Sequence, residues 1–330
     1  MSTVEPPPGY ELRIASVEDA DLLAELINEV NLAEVGFPWT NAAEVRGDLT
    51  TPDRDPAHDV LLFDSGGTLV GYLTLSMDED ADGVTTANAL AWVRPSTWGR
   101  GVSSLLLASG ERQIEREARD AGRPLVVIHL ACWSSNHAAK RLFADLGYGH
   151  VRTFLQMRRE LDEPTEPTTP AGIVIRAFDA ENDAERTHAA LAEAFGDHWG
   201  RAFDPFERWR HDHIDGPAAG SDLGLWFVAL DDDVIVGASC ARPEMESAPD
   251  TASVDFLAVR RPWRERGVAR ALLLSTFDAA RRRGIAAVEL GVDASNPTGA
   301  TRLYEGVGMR VVRSFEIWEK KLSLTPSATS

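Results

Sequence analysis

A duplicated α/β (α+β) fold is what this sequence predicts, and three observations predict it. The chain of 330 residues is about twice the length of a common domain. An acidic, proline-rich segment, Leu161 to Gly172 (LDEPTEPTTPAG), divides it nearly in half with no apolar period, as a solvated, semi-rigid linker does. The same order of signals then recurs on either side, the mark of a repeated unit. The expected domains are 10–161 and 173–322, joined by a linker at 162–172, with disordered ends at 1–9 and 323–330.

Each half reads as strand, two helices, three strands, long helix, strand, helix, strand. Tyr10-Glu11-Leu12-Arg13-Ile14 opens the first half as Ile173-Val174-Ile175-Arg176 opens the second, each leading into an acidic helix. In the second half, helices are expected over 182–195 and 204–213. Strands follow over 224–230 and 233–242, a hairpin turning at Asp231-Asp232-Asp233. A strand at 251–259 feeds a helix over 267–283, on which Val268, Leu272, Leu273 and Thr276 share one face. Strand 285–293, helix 298–306 and strand 309–321 close the half. The matches to the first half are WGRGVSSLL (Trp98 to Leu106) with RERGVARALL (Arg264 to Leu273), and NHAAKRLFADLGY (Asn136 to Tyr148) with NPTGATRLYEGVGM (Asn296 to Met309). Phe143 thereby aligns with Tyr304.

Composition narrows the function classes. With 44% hydrophobic and 26% charged residues, the chain is neither disordered nor a membrane bundle. The 33 Lys and Arg against 52 Asp and Glu, a net charge of −19, argue against broad nucleic-acid or anionic-membrane binding. The start, with Glu5 and Pro6-Pro7-Pro8, lacks the basic and apolar regions of a signal peptide, so a cytoplasmic protein is expected. The two cysteines, Cys132 and Cys240, lie far apart in strand segments and form no metal-ligand cluster. They read as buried thiols, and no metal is expected.

The turn between the strand Phe256-Leu257-Ala258-Val259 and the next helix carries the strongest chemical signal. A helix's first turn has backbone N–H groups without internal partners and positive dipole potential, both satisfied by a phosphate. Gly267 lets the backbone approach such a group, Ala269 leaves the helix start uncrowded, and Arg264 and Arg266 add charge. From Arg260 to Gly284 there are eight arginines against two acids; from Arg94 to Arg123 there are six against four. A solvated basic helix face would also account for the charge. Position after a strand, duplication and the downstream Asn-to-Tyr motif favour the anion site.

Arg264-Glu265-Arg266-Gly267-Val268-Ala269 resembles the acetyl-coenzyme A signature of the GCN5-related N-acetyltransferases (GNAT), Gln/Arg-x-x-Gly-x-Gly/Ala. The downstream Asn296 to Met309 segment is similar to that family's Asn-to-Leu-Tyr-to-Gly motif. Among tandem members, the arrangement is similar to the mycothiol synthase group of actinobacterial acetyltransferases. The resemblance implies two GNAT-like domains, each a mixed, largely antiparallel sheet flanked by helices. It also implies acetyl-CoA as co-substrate and direct attack of an amine on the thioester in a ternary complex.

On that resemblance, backbone groups at Leu257 and Val259 hold the pantetheine arm and polarise the carbonyl, with Arg264, Arg266, Gly267, Val268 and Ala269 at the pyrophosphate. Asn296 contacts the pantetheine or caps its helix. Tyr304 stands where the family places the acid that protonates the departing thiolate, with packing of the last helix against the sheet as its alternative role. Asp255, on the same strand alternation as Leu257, is the candidate base or a solvent-facing strand residue, with Glu289 a second candidate. His198, Trp199, Trp209, His211 and His213 form an aromatic and imidazole cluster where this family builds its acceptor wall; core and surface positions of an amphipathic helix are the alternative reading. In the first half, Trp98 and Ser103 replace two signature positions and Phe143 replaces the tyrosine, so a degenerate site is expected there. The leading expectation is transfer to a small-molecule amine by the second half, in a monomer or homodimer. A protein-amine acetyltransferase and a non-catalytic acyl-CoA sensor are the alternatives.

Overall fold

The structure, a computed structural model, describes residues 8–51, 54–79, 84–164, 166–196, 203–215, 222–243, 250–296 and 299–324. The chain divides into two units. One runs up to Arg152 and takes in the residues from Phe315 onward; the other is Thr153–Ser314.

The first unit contains β1 (Tyr10–Ile14), α1 (Ala20–Val35), α2 (Ala42–Leu49), β2 (Asp59–Asp64), β3 (Leu69–Glu79), β4 (Thr85–Val93), α3 (Val102–Asp120), β5 (Leu125–Trp133) and α4 (His137–Asp145). It also holds the start of β6 (Gly149–Glu160). The second contains the rest of β6, then β7 (Ile173–Ala177), α5 (Ala180–Phe195), α6 (Phe206–Arg210), β8 (Phe227–Asp231), β9 (Val234–Pro243), β10 (Thr251–Val259), α7 (Val268–Arg282), β11 (Ala287–Asp293) and α8 (Ala300–Gly306). It ends in the first residues of β12 (Arg310–Ser323). Segment 162–172 forms neither helix nor strand where described.

The unit boundaries differ from those expected. Phe154 to Glu160 of β6 pair antiparallel with β11 of the second unit, and Phe315 to Ser323 of β12 pair antiparallel with β5 of the first. The closing strand of each repeat therefore completes the sheet of the other. Both strands are long and apolar-aromatic, so their pattern specifies a strand without specifying its partner. Of the tail expected to be disordered at 323–330, Ser323 and Leu324 are ordered, and 325–330 lie outside the described residues. Ser323 ends β12, and Leu324 is buried, its N–H donating to the Pro124 carbonyl at 2.8 Å.

Within each unit the sheet is antiparallel except for one pair, β4 with β5 and β10 with β11, which run parallel. The order is β1-β2-β3-β4-β5-β12 in the first unit and β6-β11-β10-β9-β8-β7 in the second. The β8–β9 hairpin turns at Asp232 and Asp233, with Asp232 left-handed at φ 50°. Val268, Leu272, Leu273 and Thr276 of α7 are buried as one face, and Phe277 is fully enclosed beneath the Arg159 guanidinium. The opening strands are tied to their helices by a duplicated device. Arg13 makes a two-pronged contact with Asp19, and Arg176 makes one with the fully buried Asp183. The guanidinium beside it holds the Asp19 carboxyl down to about 2.

Cys240 is buried and Cys132 partly so, both as free thiols. Burial pushes the Cys132 thiol up to about 12 and Cys240 well above its ordinary value, so neither is a thiolate at neutral pH.

Candidate active site

The site of the second unit begins where its parallel strand pair comes apart. Thr251, Ala252 and Ser253 of β10 pair with Ala287, Val288 and Glu289 of β11; beyond Ser253 the pairing stops although both strands continue. The β11-facing backbone groups of β10 from Val254 to Val259 thus have no ladder partner, an arrangement suited to an extended ligand with amide groups. Leu257 and Val259 lie on this stretch.

A β-bulge interrupts the other edge of β10. Val254 pairs with Ala241 of β9 and Phe256 with the next residue back, Cys240, leaving Asp255 as the extra residue. Val254 and Leu257 pack towards α7, whereas Phe256 joins the cluster under α5 and α6. This corrects the expected alternation. Asp255 does not share a face with Leu257, and its carboxylate accepts from Arg242 Nε at 2.7 Å and from Ser253 Oγ at 3.2 Å. Both of its oxygens are thus engaged by neighbours on β9 and β10.

Glu289 is no better placed as a base. It is buried, and its two oxygens accept from Arg158 Nη1 at 3.0 Å and from Arg313 Nη2. Glu289→Gln is expected to leave turnover within about threefold of wild type while lowering stability by about 1–3 kcal/mol, read by thiol release and by urea denaturation.

At the far end of β10, residues 260–267 fold back into α7. Gly267 is the N-cap, left-handed at φ 82°, and supplies no side-chain cap. The first N–H groups of α7 are therefore open to a ligand, with Val268 buried and Ala269 small beside them. Glu265 is also left-handed, at φ 61°, a conformation unusual for a residue with Cβ. Arg264 is not aimed outward. Its Nε donates to the Val259 carbonyl at 3.0 Å and its Nη2 to the Ala194 carbonyl at 3.2 Å, so it braces the turn. Arg266 is exposed, 3.9 Å from Asp231. Arg270, in the first turn of α7, is exposed and has no ion-pair partner among the described residues. In the sequence it is one arginine of the basic 260–284 stretch.

Tyr304 lies on α8 in the same apolar cluster as Leu257. It is 7% exposed, and its hydroxyl makes no hydrogen bond among the described residues. Burial pushes its phenol up to about 12, so it stays protonated across the neutral range. The N-cap residue of α8 is Gly299, at φ 73°, and the Asn296 N–H donates to the Asp293 carbonyl. The connection before α8, 294–299, is three residues longer than its counterpart, 134–136, so the N-cap falls three residues beyond Asn296. In the first unit Asn136 does cap α4, accepting from the Ala139 N–H at 2.9 Å.

Of the acceptor-wall residues, Trp209 is core, 1% exposed and packed against His188 and Trp226. His211 is exposed, and His213 is half-buried with its ring 5.0 Å from that of Phe256. His198 and Trp199 lie outside the described residues.

The first unit repeats the turn but not the strand. Gly99 and Gly101 are left-handed at φ 76° and 82°, matching Glu265 and Gly267, and Gly101 likewise begins its helix without a side-chain cap. Trp98 Nε1 donates to the Val93 carbonyl at 2.7 Å, as Arg264 Nε does to that of Val259. Replacement of Arg by Trp therefore preserves the brace, and this position is not by itself a mark of degeneracy. The strand differs more. β4 pairs with β3 without a bulge and stays paired with β5 over five residues, Thr85 to Ala89. Phe143, 6% exposed, fills the place of Tyr304.

Among the described residues no group of three or more His, Cys, Asp or Glu side chains could hold a metal ion, and no helix is long and apolar enough to cross a membrane.

Comparison with known proteins agrees with this fold. The profile of the acetyltransferase (GNAT) family matches residues 24–148 and 184–309. Mycothiol acetyltransferase of Salinispora arenicola is 32% identical over 261 residues, 77% of this chain and 78% of that protein. The Thermobispora bispora protein of the same name is 30% identical over 267 residues, 76% and 80% of the two chains. A crystal structure of a GCN5-related N-acetyltransferase from Sphaerobacter thermophilus has a TM-score of 0.80 at 31% identity, covering 97% of this chain and 99% of that one. A tandem GNAT protein from the clavulanic acid biosynthesis pathway shares the fold at a TM-score of 0.71 and 18% identity, covering 96% and 99%. With two successive family matches over two units of the same topology, the chain belongs to the GNAT family as a tandem, acyl-CoA-dependent N-acetyltransferase.

Proposed function

We propose that the second unit carries out the reaction, transferring the acetyl group of acetyl-CoA to the amine of a small molecule. The observation that carries this reading is the bulged stretch of β10 beyond Ser253, open towards β11 and ending at the uncapped start of α7. The N–H groups of that start, with Arg266 and Arg270, suit the pyrophosphate, while Arg264 fixes the turn. Backbone groups near Leu257 and Val259 suit the pantetheine amides and the thioester carbonyl; preorganised N–H donors there stabilise the oxyanion as it forms.

In this reading the neutral amine attacks the thioester carbon, and the carbon–sulfur bond breaks as Tyr304 gives its proton to the sulfur. A buried phenol held protonated suits that role. The relatives named mycothiol acetyltransferase favour a small-molecule acceptor.

Thiol release from acetyl-CoA, measured against a panel of amines including the cysteinyl pseudodisaccharide precursor of mycothiol, tests the reading. Saturable turnover of a small amine is expected. Tight acetyl-CoA binding without turnover of any amine would make the protein a sensor, and turnover of protein amines alone would make it a protein acetyltransferase.

A further inference from the structure

The amine acceptor of any such enzyme is an ammonium ion at neutral pH, yet both carboxylates that the sequence offered as its base are occupied by guanidinium groups. We infer that His213 is the proton acceptor for the attacking amine. The inference rests on the second unit being the catalytic one.

Position is the first argument. After α6 the chain makes a π-helical turn at His211–Asp215, a rare geometry enriched at functional sites. It sets the His213 ring edge-on against Phe256, at 5.0 Å between centroids and 87° between planes, and 6.1 Å from the Trp209 ring. Phe256 directly follows the bulge residue and directly precedes Leu257. The imidazole is therefore held on the α5/α6 face of β10, beside the stretch that has lost its β11 ladder. In a straight strand Asp255 and Phe256 would point to opposite faces; the bulge gathers Phe256, Asp255 and Arg242 around His213 instead.

The second argument is chemical availability. Neither ring nitrogen of His213 has a hydrogen-bond partner among the described residues, so a lone pair remains for a proton. The charged groups facing the ring are Asp255 on β10, Arg242 on β9, Asp212 on its own turn and Asp204 before α6. Burial, the largest influence, pushes the imidazole below its ordinary value, Arg242 adds to that, and the three carboxylates oppose it. The neutral, proton-accepting form consequently prevails at pH 7. Asp255 then acts through His213 as a positioning and electrostatic partner.

The proton balance closes. One N–H proton of the ammonium passes to His213, and the freed nitrogen forms its bond to the thioester carbon while the bond to sulfur breaks. Tyr304 gives its proton to the thiolate and regains one from the second N–H of the nitrogen. His213 releases its proton to water, so ammonium and thioester become amide, thiol and one proton.

The test compares His213→Gln with wild type and with the exposed neighbour His211→Gln, using acetyl-CoA and the best amine from the panel. His213→Gln is expected to lower kcat about 10²-fold at pH 7 with unchanged acetyl-CoA affinity and circular dichroism, and to regain activity on addition of free imidazole. His211→Gln is expected to behave as wild type. The His213 ring, titrated by NMR, is expected to protonate below about 6.5 and lower still in Asp255→Asn, with the acid limb of kcat/KM moving in the same direction. Wild-type turnover in His213→Gln, a loss that imidazole does not rescue, or a ring protonating above pH 7 would each overturn the inference while leaving the catalytic unit intact. Absence of turnover by wild type with every amine would instead overturn the proposed function, and this inference with it.

Discussion

Tyr304→Phe is expected to lower turnover about 10²-fold while leaving stability and acetyl-CoA affinity close to wild type. The hydroxyl makes no hydrogen bond among the described residues, so its removal leaves no buried partner unsatisfied. Phenylalanine also fits such a place, since Phe143 occupies the equivalent position of the first unit with 6% exposure against 7% for Tyr304. What is lost is the proton. A phenol pushed up to about 12 by burial remains a donor throughout the working pH range, whereas a benzyl ring donates nothing to a leaving thiolate. Steady-state thiol release with a confirmed acceptor is the measurement. Turnover within a few-fold of wild type, with the same pH dependence, would return Tyr304 to a packing role.

Gly267→Glu is expected to weaken acetyl-CoA binding by at least about 10²-fold, and Gly267→Ala by far less. The backbone at Gly267 is left-handed at φ 82°, so either side chain introduces strain of about 1–2 kcal/mol. An added Cβ itself meets only Pro170 Cγ, at 3.6 Å, an ordinary contact. The difference between the variants therefore isolates the carboxylate. At the open N-terminus of α7 it would occupy the N–H groups meant for a phosphate and repel the ligand's own charge. Calorimetric titration of the two variants and wild type decides the matter. Unchanged affinity in Gly267→Glu would remove the turn from the binding site.

Much of this architecture is written locally in the chain. The α7 face, the Asp232–Asp233 hairpin and the duplicated turns each depend on neighbours within a few residues, so periodicity and turn chemistry expose them. The exchange of β6 and β12 does not. Two similar closing strands satisfy the same pattern, and only the three-dimensional pairing distinguishes the partner of Phe154 from that of Phe315.

The bulge at Asp255 is hidden for a related reason. Val254-Asp255-Phe256-Leu257 reads as an unbroken alternation, and one extra residue reverses the face of everything on one side of it. That reversal separated Asp255 from Leu257 and left His213 as the available base. Arg264 and Trp98 look unlike as residue types, yet each offers an N–H to the equivalent strand carbonyl, so residue class alone overstates their difference. The brace is a matter of donor position, which spacing records and charge does not. Asn296 illustrates the remaining gap: with a connection three residues longer than that before α4, the N-cap of α8 is Gly299.

The central claim is that the two units share a turn but only the second has a working site. It rests on the bulged, opened β10 and Tyr304, set against the unbulged, longer-paired β4 and Phe143. The direct measurement is thiol release by Gly101→Glu and Gly267→Glu side by side, each checked for folding by circular dichroism. Both glycines are helix N-caps at φ 82°, so the backbone strain introduced is closely matched. The account predicts near wild-type turnover for Gly101→Glu and none detectable for Gly267→Glu. Comparable losses in two folded variants would contradict it and give the first unit a working role in catalysis.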